Sequence, residues 1–170
     1  MINISAIRAA ADAYKANTLA KYRIEEPGVG GISPGQRIFH ASQEQRRLLV
    51  AGNQVGKTRA LSAECWWHAM ANHPYRVTKP APNVGWIMCA DLKGGWTNFS
   101  SKMREVQPHG VLHDTTIYDN GRGYTTRGSK MIRLSNGSLI VGKSGSQEQM
   151  ALAGATIDWL AVDDLPKIGH

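Results

Sequence analysis

Apolar and polar positions in this chain switch between a helical and an alternating period, and each switch marks an element. Residues 3 to 24 carry Ile4, Ile7, Ala11, Tyr14 and Thr18 at helical spacing with polar residues between, which predicts an amphipathic helix packed on its own domain. Glu26 to Gly35 is rich in glycine and proline and predicts a surface loop or linker. No strand precedes these glycines, so they make no dinucleotide fingerprint. Gln36 to Gln45 predicts a short helix or turn, and Arg46 to Val50 a strand. Arg59 to Met70, with Ala60, Leu61, Ala63, Glu64, Trp67 and Met70, predicts a helix that stops at Asn72-His73-Pro74. Lys79 to Asn83 is a stiff, proline-bearing connection.

Val84 to Ala90 is a nearly continuous apolar run, the pattern of a strand covered on both faces. Asp91 is placed to cap a helix over Lys93 to Glu105, whose start Gly94-Gly95 weakens. Tyr118 to Lys130 is glycine-rich, basic and aromatic. Ile132 and Leu134 alternate ahead of Asn136-Gly137, a hairpin signal. A short helix near Gln147 to Leu152 and a final strand follow. The chain shows no internal repeat and no low-complexity tract.

The chemistry concentrates where the strand at Arg46 meets its helix. Val50-Ala51-Gly52-Asn53-Gln54-Val55-Gly56-Lys57-Thr58 runs from a β-prone segment through a glycine loop into Gly-Lys-Thr at a helix start, the layout of a phosphate-binding loop. In such a loop the backbone N–H groups of Gly52 to Gly56 hold phosphate oxygens, Lys57 reaches the β and γ phosphates, and the Thr58 hydroxyl is a Mg²⁺ ligand. Ala51 replaces the usual first glycine. Gly137-Ser138-Leu139-Ile140-Val141-Gly142-Lys143-Ser144 matches the same pattern formally. Its Leu-Ile-Val interior, directly after a hairpin turn, predicts a strand instead of a cradle.

Hydrolysis also needs a carboxylate at the metal and a group to orient water. Thr156 to Asp164 ends an apolar strand with Asp163-Asp164, which predicts Asp163 at the Mg²⁺ and Asp164 at the attacking water. A strand ending in two solvated aspartates is the plainer alternative.

Composition adjusts this picture only slightly. The 170 residues are 42% hydrophobic and 19% charged, as expected of one globular domain. The net charge of +7 is compatible with a polyanionic partner, nucleic acid before an acidic membrane surface, and equally with a basic excess that only keeps the protein soluble. Cys65 and Cys89 fall in apolar segments and predict buried thiols, consistent with a reducing cytoplasm. No apolar run is long enough to span a bilayer and the start lacks a signal-peptide design, so a soluble, intracellular protein is expected.

Several segments together resemble the N-terminal ATPase domain of the large subunit of tailed-phage terminases, the DNA-packaging motor. They are Pro34-Gly35-Gln36-Arg37-Ile38-Phe39-His40, Val50 to Thr58, Leu134 to Ile140 running on to Leu152-Ala153-Gly154, and Leu160-Ala161-Val162-Asp163-Asp164-Leu165-Pro166. The resemblance spans about 135 residues, from Pro34 to the end. It implies an α/β P-loop NTPase of the additional-strand type, with a mainly parallel sheet, helices on both faces and a β-hairpin insertion. Residues 1–33 would be an N-terminal helix and linker, and residues 34–170 the ATPase domain. ATP and Mg²⁺ would be the cofactors, with Gln36 reading the adenine edge and Gly52, Asn53, Gln54, Val55, Gly56, Lys57 and Thr58 around the phosphates. Lys57 and Asp164 would be catalytic, and Thr58 and Asp163 would hold the metal.

The implied partners are double-stranded DNA, the portal protein, the small terminase subunit and further copies in a ring, in the cytoplasm of the host cell. Asn53 stands where the family often has arginine. Asp164 stands where it has glutamate, a change that can slow turnover about a hundredfold. In that family a later strand lies between the phosphate-loop strand and the acidic strand. The chain stops at His170, so the resemblance implies an incomplete fold without that strand or a nuclease domain.

Two further readings stay open beside the motor: another P-loop DNA-dependent ATPase or helicase, and a nucleotide- or DNA-binding assembly module without turnover. Cys65-x-x-His68 and His109-x-x-x-His113 have zinc-like spacing but lie too far apart in sequence to be read as one site, and His68 is expected on a helix face. Arg122, Tyr124, Arg127 and Lys130 could contact DNA phosphates or supply an arginine to a neighbouring subunit.

Overall fold

A computed structural model describes Tyr22 and residues 33–52, 54–144 and 154–163. The predicted helix at 3–24, most of the linker, Asn53, the predicted helix at 147–152 and Asp164 lie outside the described residues.

The helices are α1 (Pro34–Ala41), α2 (Lys57–Met70) and α3 (Gly94–Glu105). The strands are β1 (Val84–Cys89), β2 (Thr116–Asp119), β3 (Gly123–Thr126), β4 (Met131–Arg133), β5 (Leu139–Ser144) and β6 (Trp159–Val162). A four-stranded sheet has the order β4-β5-β1-β6, and β2 and β3 form a separate antiparallel ribbon. β1 is parallel to both neighbours, with Ile87 opposite Gly142 on β5 and Ala161 on β6, while β4 and β5 are antiparallel. The molecule is thus α/β, with a mixed, mostly parallel sheet flanked by helices.

β1 is paired on both edges, but among the described residues helices cover only one of its faces, where its apolar run predicts cover on both. Its Gly85, Ile87 and Cys89 are buried, as are Ile140, Gly142 and Ser144 on β5 and Ala161 on β6. This face receives α2 and α3. A Cβ on Gly142 would meet the Trp96 ring of α3 at 2.5 Å, one on Gly95 would meet Cys89 Cβ at 2.9 Å, and His68 of α2 lies against Trp159. Gly95, which weakens the helix in isolation, is what lets α3 start close against β1. The opposite face carries half-buried Trp86 and Val141 and exposed Leu160 and Val162. Among the described residues, then, α2 and α3 share one face, where helices on both were expected.

Between the helices and the sheet sit Trp66, Trp96, Phe99, Met103, Tyr124, Ile132 and Leu134, all fully buried. The indoles satisfy their own donors there: Trp66 Nε1 donates to Met103 O and Trp96 Nε1 to Tyr124 O, each at 2.9 Å. Cys65 and Cys89 are both buried, as their apolar segments predict. No helix among the described residues is long and apolar enough to cross a membrane.

Three local expectations are corrected. Pro34 and Gly35 belong to α1 and not to the linker, because Ser33 and Gln36 form a capping box with proline in the first turn. Thr116 to Thr126, for which no strand was expected, forms the β2–β3 ribbon, with Asp119 Oδ1 accepting the Gly121 N–H at 2.8 Å in its turn. Arg46 to Val50 forms no strand: no described strand pairs with it, and Leu48 and Val50 are 86% and 80% exposed. A β-prone sequence without a ladder partner cannot form sheet.

Other expectations hold. The hairpin turns at Asn136-Gly137, with Gly137 at φ 87°. The second phosphate-loop match is strand β5 from Leu139 onward. Asp91 accepts the N–H groups of Lys93, Gly94 and Gly95 ahead of α3, which holds its carboxyl below the usual range.

Candidate functional site

The loop ahead of α2 has the backbone its sequence requires. Gln54 and Gly56 take left-handed conformations, φ 60° and 83°, and α2 begins at the next residue, Lys57. Glycine fits that conformation freely, whereas a side chain at Gln54 holds it at a cost and so marks a constrained loop. No described side chain caps the start of α2. The first-turn N–H groups and the positive end of the helix therefore remain available to an anion.

Lys57 folds back over the loop, its Nζ donating to Ala51 O at 2.8 Å and Gly52 O at 2.7 Å. Thr58 points the other way, toward the sheet. Its Oγ1 lies 3.3 Å from Asp163 Oδ1, a contact between residues 105 apart in sequence. Asp163 is placed at the end of β6 by its N–H, which donates to Met88 O at 2.9 Å and extends the β1–β6 ladder by one residue. A hydroxyl and a carboxylate side by side are hard oxygen donors, a set that suits Mg²⁺.

Gln36 is buried beneath this loop. Its Nε2 donates to Val55 O and Gly56 O, both at 3.1 Å, and its Oε1 accepts the Ser33 N–H at 2.9 Å. The structure thus brings Gln36, Gly52, Gln54, Val55, Gly56, Lys57, Thr58 and Asp163 into one neighbourhood. Asn53 and Asp164 lie outside the described residues.

Sequence reasoning missed a second cluster one layer deeper. Glu64, two turns into α2, is buried, with His40 Nδ1 at 2.6 Å, His73 Nε2 at 3.2 Å and His68 Nε2 at 3.5 Å from its carboxylate. Arg47 clamps the same carboxylate through both terminal nitrogens, at 3.0 and 2.5 Å. Burial pushes the Glu64 carboxyl up, but hydrogen bonds from His40, His68, His73 and Arg47 outweigh it and hold the group ionised far below the usual range. A carboxylate only accepts, so His40 Nδ1 donates to it, leaving Nε2 for the Tyr22 hydroxyl at 3.0 Å. The sole sequence signal was the accumulation of His40, Arg47, Glu64, His68 and His73 within one stretch, without any fixed spacing.

Ligand atoms of Glu64, His68 and His73 lie within 4.8 Å of one another, a spacing a metal could bridge. The hydrogen bonding argues for a different use. The Tyr75 N–H donates to His73 Nδ1 at 3.2 Å, so Nε2 carries the ring hydrogen that a metal would have to replace. The Arg47 guanidinium already neutralises the carboxylate. The donors fit an ion-paired hub that ties the segment entering the loop to the helix leaving it.

Comparison with protein-family models, with curated proteins and with solved structures finds no match to this chain.

Proposed function

We propose that this chain binds Mg²⁺-ATP at the Gly52–Thr58 loop and hydrolyses it as the ATPase portion of a motor that drives double-stranded DNA into a viral procapsid. The observation that carries the nucleotide reading is the meeting of Thr58 Oγ1 with Asp163 Oδ1. Two motifs so far apart in the sequence would have no reason to converge if one were a surface turn and the other a solvated strand end. Thr58 and Asp163 would hold Mg²⁺, which neutralises charge on the β and γ phosphates. Lys57 would exchange its bonds to Ala51 O and Gly52 O for phosphate oxygens, and Asp164 would orient the attacking water. The packaging role, with its portal, small-subunit and ring partners, draws on the terminase resemblance of the motifs alone. Another P-loop DNA-dependent ATPase uses the same groups.

A module that binds nucleotide or assembles without turnover is favoured by one further observation. Among the described residues β6 lies at the sheet edge with Leu160 and Val162 exposed, and Leu48 and Val50 ahead of the loop are exposed as well. An additional strand between them would pair with the β6 edge and flank these side chains. Calorimetry with Mg²⁺-ATP, with phosphate release followed on the same samples, separates the readings. Binding should be lost in Lys57→Ala, and phosphate release by the wild type marks an enzyme while binding without release marks the module. Equal binding by wild type and Lys57→Ala would sink the nucleotide site.

A further inference from the structure

α1 braces the phosphate loop from behind. Both Nε2 hydrogens of Gln36 go to loop carbonyls, those of Val55 and Gly56, and its Oε1 goes to the Ser33 N–H. The approach is close enough that a Cβ on Gly56 would lie 2.9 Å from Nε2, so a side chain there would push the Gln36 amide aside as well as strain the left-handed backbone. Peptide planarity carries the effect to the far side of the loop. In a trans peptide the C=O and the following N–H point in opposite directions. Holding the Val55 carbonyl toward α1 therefore turns the Gly56 N–H away from it, toward where a phosphate would sit, while Gly56 O also accepts the Ala60 N–H at 2.9 Å, so that brace and helix together orient the Lys57 N–H. One turn further along α1, His40 bonds Glu64. The brace is thereby fixed to the same helix that the loop opens.

We infer that Gln36 is a positioning residue for the loop amides, and that this site selects a triphosphate without selecting its base. The inference rests on the nucleotide reading above. It departs from the expectation that Gln36 reads adenine, because the buried amide would have to give up both loop carbonyls and the Ser33 N–H together to face adenine N6 and N7, releasing the loop and the cap of α1. Lys57, by contrast, only exchanges carbonyl for phosphate oxygens.

The test uses the full chain and two variants. Gln36→Glu keeps an acceptor for the Ser33 N–H, and so the helix cap, but has no hydrogen to donate to the loop. Gln36→Met keeps the length and neither polar atom. Calorimetric affinities for Mg²⁺-ATP, Mg²⁺-GTP and Mg²⁺-tripolyphosphate are compared, and amide exchange at Gly56 and Lys57 is followed with saturating Mg²⁺-tripolyphosphate. Both variants should weaken all three ligands by the same factor, about tenfold, with the ATP-to-GTP ratio unchanged. Exchange at the two amides should quicken while the thermal transition persists. Weakening of ATP alone, with GTP and tripolyphosphate unaffected, overturns the inference and leaves the nucleotide site standing. Unchanged amide exchange in both variants also overturns it. A wild-type chain that binds none of the three ligands overturns the inference and the nucleotide reading together.

Discussion

Glu64 shows how one side chain can tie a site together from below. It sits on the helix that follows the phosphate loop, yet its partners come from α1, from the segment before the loop and from beyond the end of α2. Removing its charge leaves the Arg47 guanidinium without a carboxylate partner among the described residues, with Phe39 O and the Phe39 ring beside it. Glu64→Gln should therefore destabilise the chain by about 3–5 kcal/mol, read from urea unfolding, the usual cost of breaking a buried ion pair. The pH dependence follows from two shifts. Burial holds His73 below its ordinary range against the pull of Glu64, so the unfolded state takes up its proton first and stability falls as pH drops below about 6.5. Glu64 is depressed, so its contribution is full above the unfolded carboxyl range and is lost progressively below about pH 4.5. Glu64→Gln should keep the first limb and flatten the second. An acid limb of the same steepness in that variant would show that other carboxylates set it.

Among the elements, β6 matters most because it delivers Asp163 to Thr58. Its hold on β1 is short, four residues, and Trp159 secures it by lying over Gly85 and donating Nε1 to Asn83 Oδ1 at 2.9 Å. A Cβ on Gly85 would lie 2.0 Å from the indole. Gly85→Ala should displace Trp159 and cost at least about 1–3 kcal/mol, with a change in tryptophan fluorescence at 159 and weaker Mg²⁺-dependent nucleotide binding. Unchanged stability and fluorescence would mean that the indole does not clamp the strand. Glycine in a strand is legible in sequence as a close approach, but what approaches it is not. In the same way, the strand character of β5 could be read from its Leu-Ile-Val interior after a turn, whereas the β-prone Arg46 to Val50 could not reveal that no described strand pairs with it.

For the whole molecule, the net charge of +7 becomes a question of where the cations stand. Arg122 and Arg127 are exposed at the two turns that flank β3, and Arg127 and Gly128 both take left-handed backbone that projects the second turn. Lys130 donates to Arg122 O at 2.7 Å and holds the turns together. If this end binds a duplex, Arg122→Ala with Arg127→Ala should weaken DNA binding several-fold and make its salt dependence shallower by about 1–2 in log–log slope, one for each phosphate no longer neutralised. An unchanged slope in fluorescence anisotropy titrations would place the DNA interface elsewhere or remove it.

What the sequence determined by itself was local. The left-handed glycine before Lys57, the start of α2 and the Asn136-Gly137 hairpin each depend on a few adjacent residues whose backbone preferences act at short range. The Ser33 and Gln36 capping box was equally available in the spacing. Tertiary structure alone decided which side chains meet. Thr58 reaches Asp163 across 105 residues because β6 adds to β1 in one register, and Gln36 turns to the loop because His40, one turn on, is anchored at Glu64. It also decided against a strand at Arg46 to Val50, since a strand needs a hydrogen-bonding neighbour as well as a sequence able to be one.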